Sequence, residues 1–425
     1  MDFAFLIKIM RILAIETSCD ETSIAVLEAN KDGPFTLLSN IILSQIKIHA
    51  PFGGVVPTLA KREHQKNLVP ILKQSLNEAK LLKSQKSKVK SQSVNWRTKS
   101  KILEEILSRE PELLKKLMPF LTKYGRPDID LIAVTNGPGL EPALWVGVNF
   151  AKALASVWDL PIMPVNHVEA HIIANWLPYS VIPAKAGIQK AWMPDQVRHD
   201  KKDTIKFPNL LISQFPAISL VVSGGHTQLV LMHGFGKYEI LGETRDDAAG
   251  EAFDKLARML NLGYPGGPIV AKIAAEAKKQ DLKNVRLPRP MISSKDYDFS
   301  FSGLKTAALY FVKTLDKKTL KKLAPAICLE FQQAAIDVLI SKTIRAAKEF
   351  SAKTVLLSGG VAANDLLRGT LKLETCNLKL NFSVPPKEFC TDNAAMIALT
   401  ALCATKHKKP VSWEELTVEA NLRIA

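Results

Sequence analysis

Ile218-Ser-Leu-Val-Val-Ser-Gly-Gly-His-Thr-Gln-Leu-Val-Leu-Met232 reads as an apolar strand, a turn of small hydrogen-bonding residues and a second apolar strand. The same order occurs near the start of the chain, in Ile12-Leu-Ala-Ile-Glu-Thr-Ser-Cys-Asp-Glu-Thr-Ser-Ile-Ala-Val-Leu27. Each stretch predicts a β-hairpin. A related element, Thr354-Val-Leu-Leu-Ser-Gly-Gly-Val-Ala-Ala-Asn364, predicts a buried strand that runs into a glycine turn and then a helix. Strands alternate with helices elsewhere, as in Ile129–Thr135 followed by Ala143–Trp158. The pattern predicts an α/β protein with an internal duplication.

Glycine turns after buried strands bring backbone N–H groups within reach of phosphate oxygens, because no side chain blocks the approach. One such turn is a weak signal, since glycine serves tight turns in general. Two in corresponding positions, Ser223-Gly224-Gly225 and Ser358-Gly359-Gly360, combine with the first hairpin to predict a cleft in which two similar domains clamp a nucleotide. Pro265-Gly266-Gly267-Pro268 offers either a backbone contact to sugar or base or an ordinary type II turn before a helix. Asp254 is a helical carboxylate, suited either to ribose hydroxyls or to pairing with Lys255 or Arg258. Asn136-Gly-Pro-Gly-Leu140 is either a phosphate-facing loop or a sharp strand-to-helix connection. Neither G-x-x-x-x-G-K-[ST] nor a helix-opening G-x-G-x-x-G occurs, which excludes the P-loop and Rossmann readings.

His167 and His171 stand four residues apart in Val-Asn-His-Val-Glu-Ala-His, so on a helix both imidazoles project from one face. Packing or capping at the end of an apolar helix is the alternative. Zinc proteases of the His-Glu-x-x-His type place their glutamate directly after the first histidine. Here Glu169 comes one position later and points off the metal face, which argues against that chemistry. Asp392, in Cys390-Thr-Asp-Asn-Ala-Ala-Met396, either joins Thr391 in capping the next helix or completes a His/His/Asp metal set with an open position.

A length of 425 residues with 47% hydrophobic content allows two domains with well-formed cores. No apolar run approaches a membrane span, and Phe3–Ile7 is followed by no small-residue cleavage pattern. Residues 1–9 read as an extension, because Met10 stands directly before the first strand. Five cysteines without a C-x-x-C pair fit reduced thiols and a cytoplasmic location. The net charge of +16 points to a polyanionic partner, RNA first among them. Much of that charge lies in Lys80–Arg126, where thirteen Lys/Arg face four Glu. This stretch opens as a polar linker and carries leucines at helical spacing over Ile102–Tyr124. Ser180–Phe207 has no clear period, and neither segment is assigned to the catalytic core; His199 within it is a weak metal candidate, read first as a surface side chain.

Taken together, these motifs resemble the TsaD family, the catalytic subunit of tRNA N6-adenosine threonylcarbamoyltransferase, formerly described as an O-sialoglycoprotein endopeptidase. The resemblance is carried by Ile15-Glu-Thr-Ser-Cys-Asp-Glu-Thr-Ser23, Gly53-Gly-Val-Val-Pro57, Gly137-Pro-Gly-Leu140, His167-Val-Glu-Ala-His171 and Leu220–Leu229. Asp246–Lys255, Tyr264–Pro268, Asp298–Thr306, Ser358–Asn364 and Phe389–Asn393 continue it in order. It implies an actin-like ATPase fold of the hexokinase and heat-shock chaperone class, with two duplicated α/β domains flanking a nucleotide cleft. The domains are expected at 10–179, with a basic helical insertion at 80–126, and at 208–425, with C-terminal helices packing back on the first; 180–207 is an inserted segment.

The implied activity is transfer of threonylcarbamoyl from threonylcarbamoyl-adenylate to N6 of the adenosine 3′ of the anticodon, in tRNAs reading codons that begin with A. His167, His171 and Asp392 would hold one divalent metal, iron or zinc. Val221, Val222, Ser223, Gly224, Gly225, Asp254, Gly267 and Asn364 would bind the substrate or an ATP/AMP-type nucleotide. The general base is not identified. Implied partners are tRNA, a TsaB-like paralogue and a TsaE-like ATPase, with no membrane. A metal-dependent glycoprotease and an actin-like ATPase or kinase are the competing readings. Two positions depart from the family pattern: Glu141-Pro142 after Gly-Pro-Gly-Leu, and Asn166 where a further histidine is common.

Overall fold

The computed structural model describes residues 9–30, 35–84, 94–177, 214–278 and 285–424; residues 1–8 and the segment 180–207, with His199, lie outside the described residues. Two five-stranded sheets organise the chain. The first is formed by β1 (Ile9–Glu16), β2 (Glu21–Asn30), β3 (Phe35–Ser44), β4 (Leu131–Gly137) and β5 (Ile162–Asn166), in the order β3-β2-β1-β4-β5. The second holds β6 (Ala217–Val222), β7 (Thr227–Gly234), β8 (Lys237–Glu243), β9 (Thr354–Ser358) and β10 (Asn381–Ser383), ordered β10-β9-β6-β7-β8. Each sheet starts with an antiparallel meander, β1-β2-β3 or β6-β7-β8, and adds two parallel strands beside its first strand. The two sheets therefore have the same topology, and the duplication read from the hairpins extends to whole sheets. This is the actin-like ATPase architecture.

Parallel strands need crossovers, and helices supply them. In the N-terminal half, α1 (Pro57–Glu78), α2 (Val94–Ile106) and α3 (Pro111–Lys123) connect β3 to β4, and α4 (Glu141–Trp158) connects β4 to β5. A short α5 (His167–Ile173) follows β5 at once. In the C-terminal half, α6 (Ala249–Met259), α7 (Gly266–Ala274), α8 (Ser302–Lys313) and α9 (Lys317–Glu349) lie between β8 and β9. Helix α10 (Asp365–Asn377) links β9 to β10, and α11 (Ala394–Ala404) ends the helical series. Of the described helices only α9 is long and apolar enough to cross a membrane, and Ala326, Ile327, Cys328 and Phe331 on it belong to the C-terminal core.

Three apolar clusters hold these layers together. One lies behind the N-terminal sheet, one behind the C-terminal sheet, and the third joins Ile12, Ala25 and Ala133 to Val221, Val230 and Leu356 through α5 and α11. Helix α11 thus packs on β1 and β2 although it comes last in the chain. The basic stretch is not an appendage: Leu103, Leu107, Leu113 and Leu117 are fully buried with Leu68, Leu72 and Leu154 in the N-terminal cluster. The lysines that dominate its composition surround an ordinary apolar stripe. The two helices are separate, broken at Leu107–Glu110, where a single helical stretch was expected over Ile102–Tyr124.

Candidate metal centre and cleft

Asn166 ends β5 and caps α5 in the same step, its Oδ1 accepting the N–H groups of Val168 at 2.9 Å and Glu169 at 3.0 Å. Its Nδ2 donates to the carbonyls of Arg423 at 3.2 Å and Leu422 at 3.5 Å in the C-terminal tail. The departure at this position is therefore a cap and a clasp. The helix opens at His167, so His171 stands one turn along the same face, with the two ring centroids 4.6 Å apart. Asp392 arrives from the far end of the sequence on the turn before α11. Asn393 takes the cap of that helix by accepting from Met396 N–H at 3.1 Å, and Ser23 Oγ on β2 accepts from Ala394 N–H at 2.9 Å. Capping is thereby done by neighbours, and the Asp392 carboxylate is left for the histidines. Its Oδ1 lies 3.4 Å from His167 Nε2 and 3.1 Å from His171 Nε2.

The potential ligand atoms of His167, His171 and Asp392 all lie within 4.8 Å of one another. The donor set fits a divalent cation on a further observation. His171 is almost fully buried, yet among the described residues neither ring nitrogen has a hydrogen-bond partner, the 3.1 Å approach to Asp392 counting as an ion-pair contact only. Buried orphan nitrogens are costly unless something else binds them. Electrostatics agree. Burial disfavours a charged His167, but Asp392 and Glu16 outweigh it and lift its pKa to about 10. Burial likewise opposes ionisation of Asp392, and the two imidazoles overcome it, holding the carboxyl well below its usual range. The site therefore stabilises positive charge at its centre.

Glu16 was missing from the sequence-based site. It is fully buried at the end of β1, and its Oε2 lies 3.2 Å from His167 Nδ1. Thr135 Oγ1 donates to the same oxygen and Ser18 N–H donates to Oε1, each at 2.5 Å. A carboxylate held in this way keeps the proton on Nδ1 and leaves Nε2 for a metal. Its sequence signal was a lone acid closing the apolar run Ile12–Ile15, which also fits a turn residue. Glu169 faces the other side of α5, where Lys408 Nζ is 3.9 Å from Oε2 and Tyr238 is nearby. It takes no part in the cluster.

Beside the cluster lies a cavity of about 840 Å³, lined by Asp20, Glu21 and Thr391 together with Gly224, Asp254, Gly267, Gly360 and Asn364. The sequence-predicted contacts divide here. Gly224 and Gly360 face open space and leave the backbone approachable. Gly225 and Ser223 close their own turn: Ser223 Oγ accepts from Gly225 N–H at 3.3 Å and His226 N–H at 3.0 Å, and neither lines the cavity.

Val221 and Val222 do not line the cavity either. Both are fully buried on β6, Val221 in the cluster between the sheets and Val222 in the C-terminal core, so they shape the strand and leave the contact to the turn after it. Asp254 Oδ1 accepts Gly266 N–H at 2.7 Å and so fixes the Gly266-Gly267 turn at the start of α7. Asn364 Oδ1 caps α10 at Leu366 and Leu367, and its Nδ2 donates to Gln332 at 2.8 Å. Near the His167/His171/Asp392 cluster, burial and then the neighbouring Asp20 and Asp392 push the Glu21 carboxyl well above its usual range. Glu141 and Pro142 occupy the first turn of α4, where an acid and a proline suit the helix start.

The family model for "TsaD: tRNA N6-adenosine threonylcarbamoyltransferase" matches residues 36–89, 111–187 and 204–399. The chain belongs to the TsaD family. A tRNA N6-adenosine threonylcarbamoyltransferase of Thermomicrobium roseum is 41% identical over 92% of this chain and 90% of its own length. Relatives of that name from Thermosipho africanus and Bacillus thuringiensis are 40% and 38% identical, covering 98% and 94% of this chain and 100% and 92% of theirs. Among solved structures, full-length HypF in the phosphate- and nucleotide-bound form aligns with a TM-score of 0.50 at 12% identity, over 93% of this chain and 55% of that one. That likeness concerns the fold alone.

Proposed function

We propose that this TsaD-family chain is the threonylcarbamoyl transferase of tRNA, and that the His167/His171/Asp392 cluster beside the cavity is its reaction centre. The observation that carries the reading is the adjacency itself: Thr391, next to the ligand Asp392, lines the cavity. The donor is threonylcarbamoyl-adenylate, and the acceptor is N6 of the adenosine 3′ of the anticodon. A nucleotide moiety of the donor lies along Gly224, Gly267 and Gly360, whose backbones open on the cavity. His167, His171 and Asp392 would hold a divalent metal, iron or zinc, which would supply Lewis-acid polarisation and offset developing charge.

The chain's own contribution is positioning. Glu16 holds the Nδ1 proton of His167 and fixes that ring. Asn166 sets the helix start, so both histidines keep one face. Asp254 spends one carboxylate oxygen on Gly266 N–H and thereby presents Gly267 to the cavity. Adenine N6 is a poor nucleophile, so alignment against an activated acyl group is the main need. TsaB- and TsaE-like partners and a cytoplasmic location belong to this proposal as well.

The protease reading is not favoured, since Glu169 faces Lys408 on the far side of α5 and cannot act on a metal-bound group. A kinase reading leaves the buried His/His/Asp cluster without a use. The test is transfer with purified protein, its partners, tRNA and the adenylate. His171→Ala is expected to lose bound metal and to lower the transfer rate at least about a hundredfold. A wild-type rate in that variant would refute the metal-centred reading.

A further inference from the structure

We propose that Phe52 is a stacking platform for an unpaired base of the tRNA anticodon loop, with Lys47 and Arg62 as flanking phosphate contacts. The inference rests on the function proposed above. Phe52 is 61% exposed, a position that costs apolar hydration in an isolated chain. It is nevertheless held firmly. The short helix Ile46–His49 runs into one 3-10 turn, Ala50–Phe52, which Gly53 closes in the left-handed region at φ 66°. Buried His49 underpins the turn, with Nδ1 accepting Val56 N–H at 3.2 Å and Nε2 3.2 Å from Gln45 Oε1. The carbonyl of Gly53 accepts the Arg258 guanidinium from α6 in the C-terminal half.

Ile46, at the start of the short helix, lines the cavity, and Arg258, which bonds the carbonyl next to Phe52, stands one helical turn from the lining residue Asp254. An exposed ring on a braced turn beside the cleft where the acceptor adenosine must meet the donor offers a π-face to a neighbouring base, as single-stranded nucleic acids require. Charge favours the same partner. Lys47 and Arg62 are exposed and form no ion pair among the described residues, and the nearby Glu63 is engaged by Lys66 at 2.5 Å. Ile42, Leu43 and Ile48 are also exposed, so an apolar protein partner is the competing occupant. It would leave both cations without counter-charge.

The experiment is fluorescence anisotropy of a labelled anticodon stem-loop hairpin titrated with the full chain and its partner proteins. Phe52→Ala is expected to weaken binding about tenfold, the scale of one lost base–aromatic stack, while Phe52→Trp keeps it. Lys47→Ala and Arg62→Ala are each expected to lower the salt slope by about one. AMP binding and thermal stability stay at wild-type values in Phe52→Ala.

Equal hairpin affinity in Phe52→Ala would overturn the inference while leaving the transfer reading intact. So would loss of association with the paralogue, measured by sedimentation, at unchanged hairpin affinity, which would assign the face to a protein. Absence of any hairpin binding by the wild type would overturn the function proposal along with this one.

Discussion

A buried carboxylate behind a metal-binding imidazole does two things at once: it selects the tautomer and it raises the basicity of the free nitrogen. Glu16 has both opportunities, with Thr135 and Ser18 fixing its two oxygens and His167 taking the remaining approach. Glu16→Gln preserves size and most hydrogen-bonding capacity but removes the charge. It is expected to weaken metal affinity about 10–100-fold, with transfer falling in parallel. Competition with a chelator, read as metal retained per chain, checks this. Retention equal to wild type would demote Glu16 to a packing residue.

The residues that the sequence singled out and the structure brings together were those whose spacing has few other uses: a histidine pair at one helical turn and an acid just ahead of a helix. Glu16 escaped because a strand-terminal acid is common. Asp254 and Asn364 were expected on ligand; both line the cavity, and each also bonds backbone N–H groups of a neighbouring helix start. Spacing alone does not tell these two roles apart.

At the scale of elements, the hairpins were legible because alternating apolar runs and small-residue turns are local signals. The pairing of β1 with β4 and of β6 with β9 was not, since nothing in a strand names its parallel neighbour. The helical stretch read over Ile102–Tyr124 is two helices, α2 and α3, and its lysine-rich composition did not show how deeply they pack. A surplus of lysine describes the solvent face of a helix, whereas burial is set by the leucines on the other. Leu117 is fully buried in the N-terminal cluster, on a helix that packs against α1, so Leu117→Ala is expected to cost about 2–5 kcal/mol, as for any core truncation that leaves a cavity. Urea unfolding at unchanged m-value measures it. A change below about 0.5 kcal/mol would mean that the segment is an appendage after all.

For the molecule as a whole, the cavity is walled by the first hairpin through Asp20 and Glu21 and by the second half through Gly224, Gly360 and Asn364, so the proposed nucleotide would touch elements of both sheets. Binding to the folded state alone stabilises by mass action: AMP at about a hundred times its Kd adds about 2.7 kcal/mol and raises Tm. The glycine turn after β9 separates contact from architecture. Gly359 has φ 87°, and an added Cβ would run into the carbonyl of Val222, so Gly359→Ala is expected to lower Tm with or without nucleotide. Gly360 has no atom within 4 Å of an added methyl, so Gly360→Ala keeps the Tm of the free protein. That methyl points into the cavity's free space, however, and the rise in Tm with AMP should shrink. If Gly360→Ala retained the full AMP shift, the nucleotide would lie elsewhere in the cleft. If it instead lowered Tm as Gly359→Ala does, the second glycine would be part of the fold rather than a doorway for phosphate.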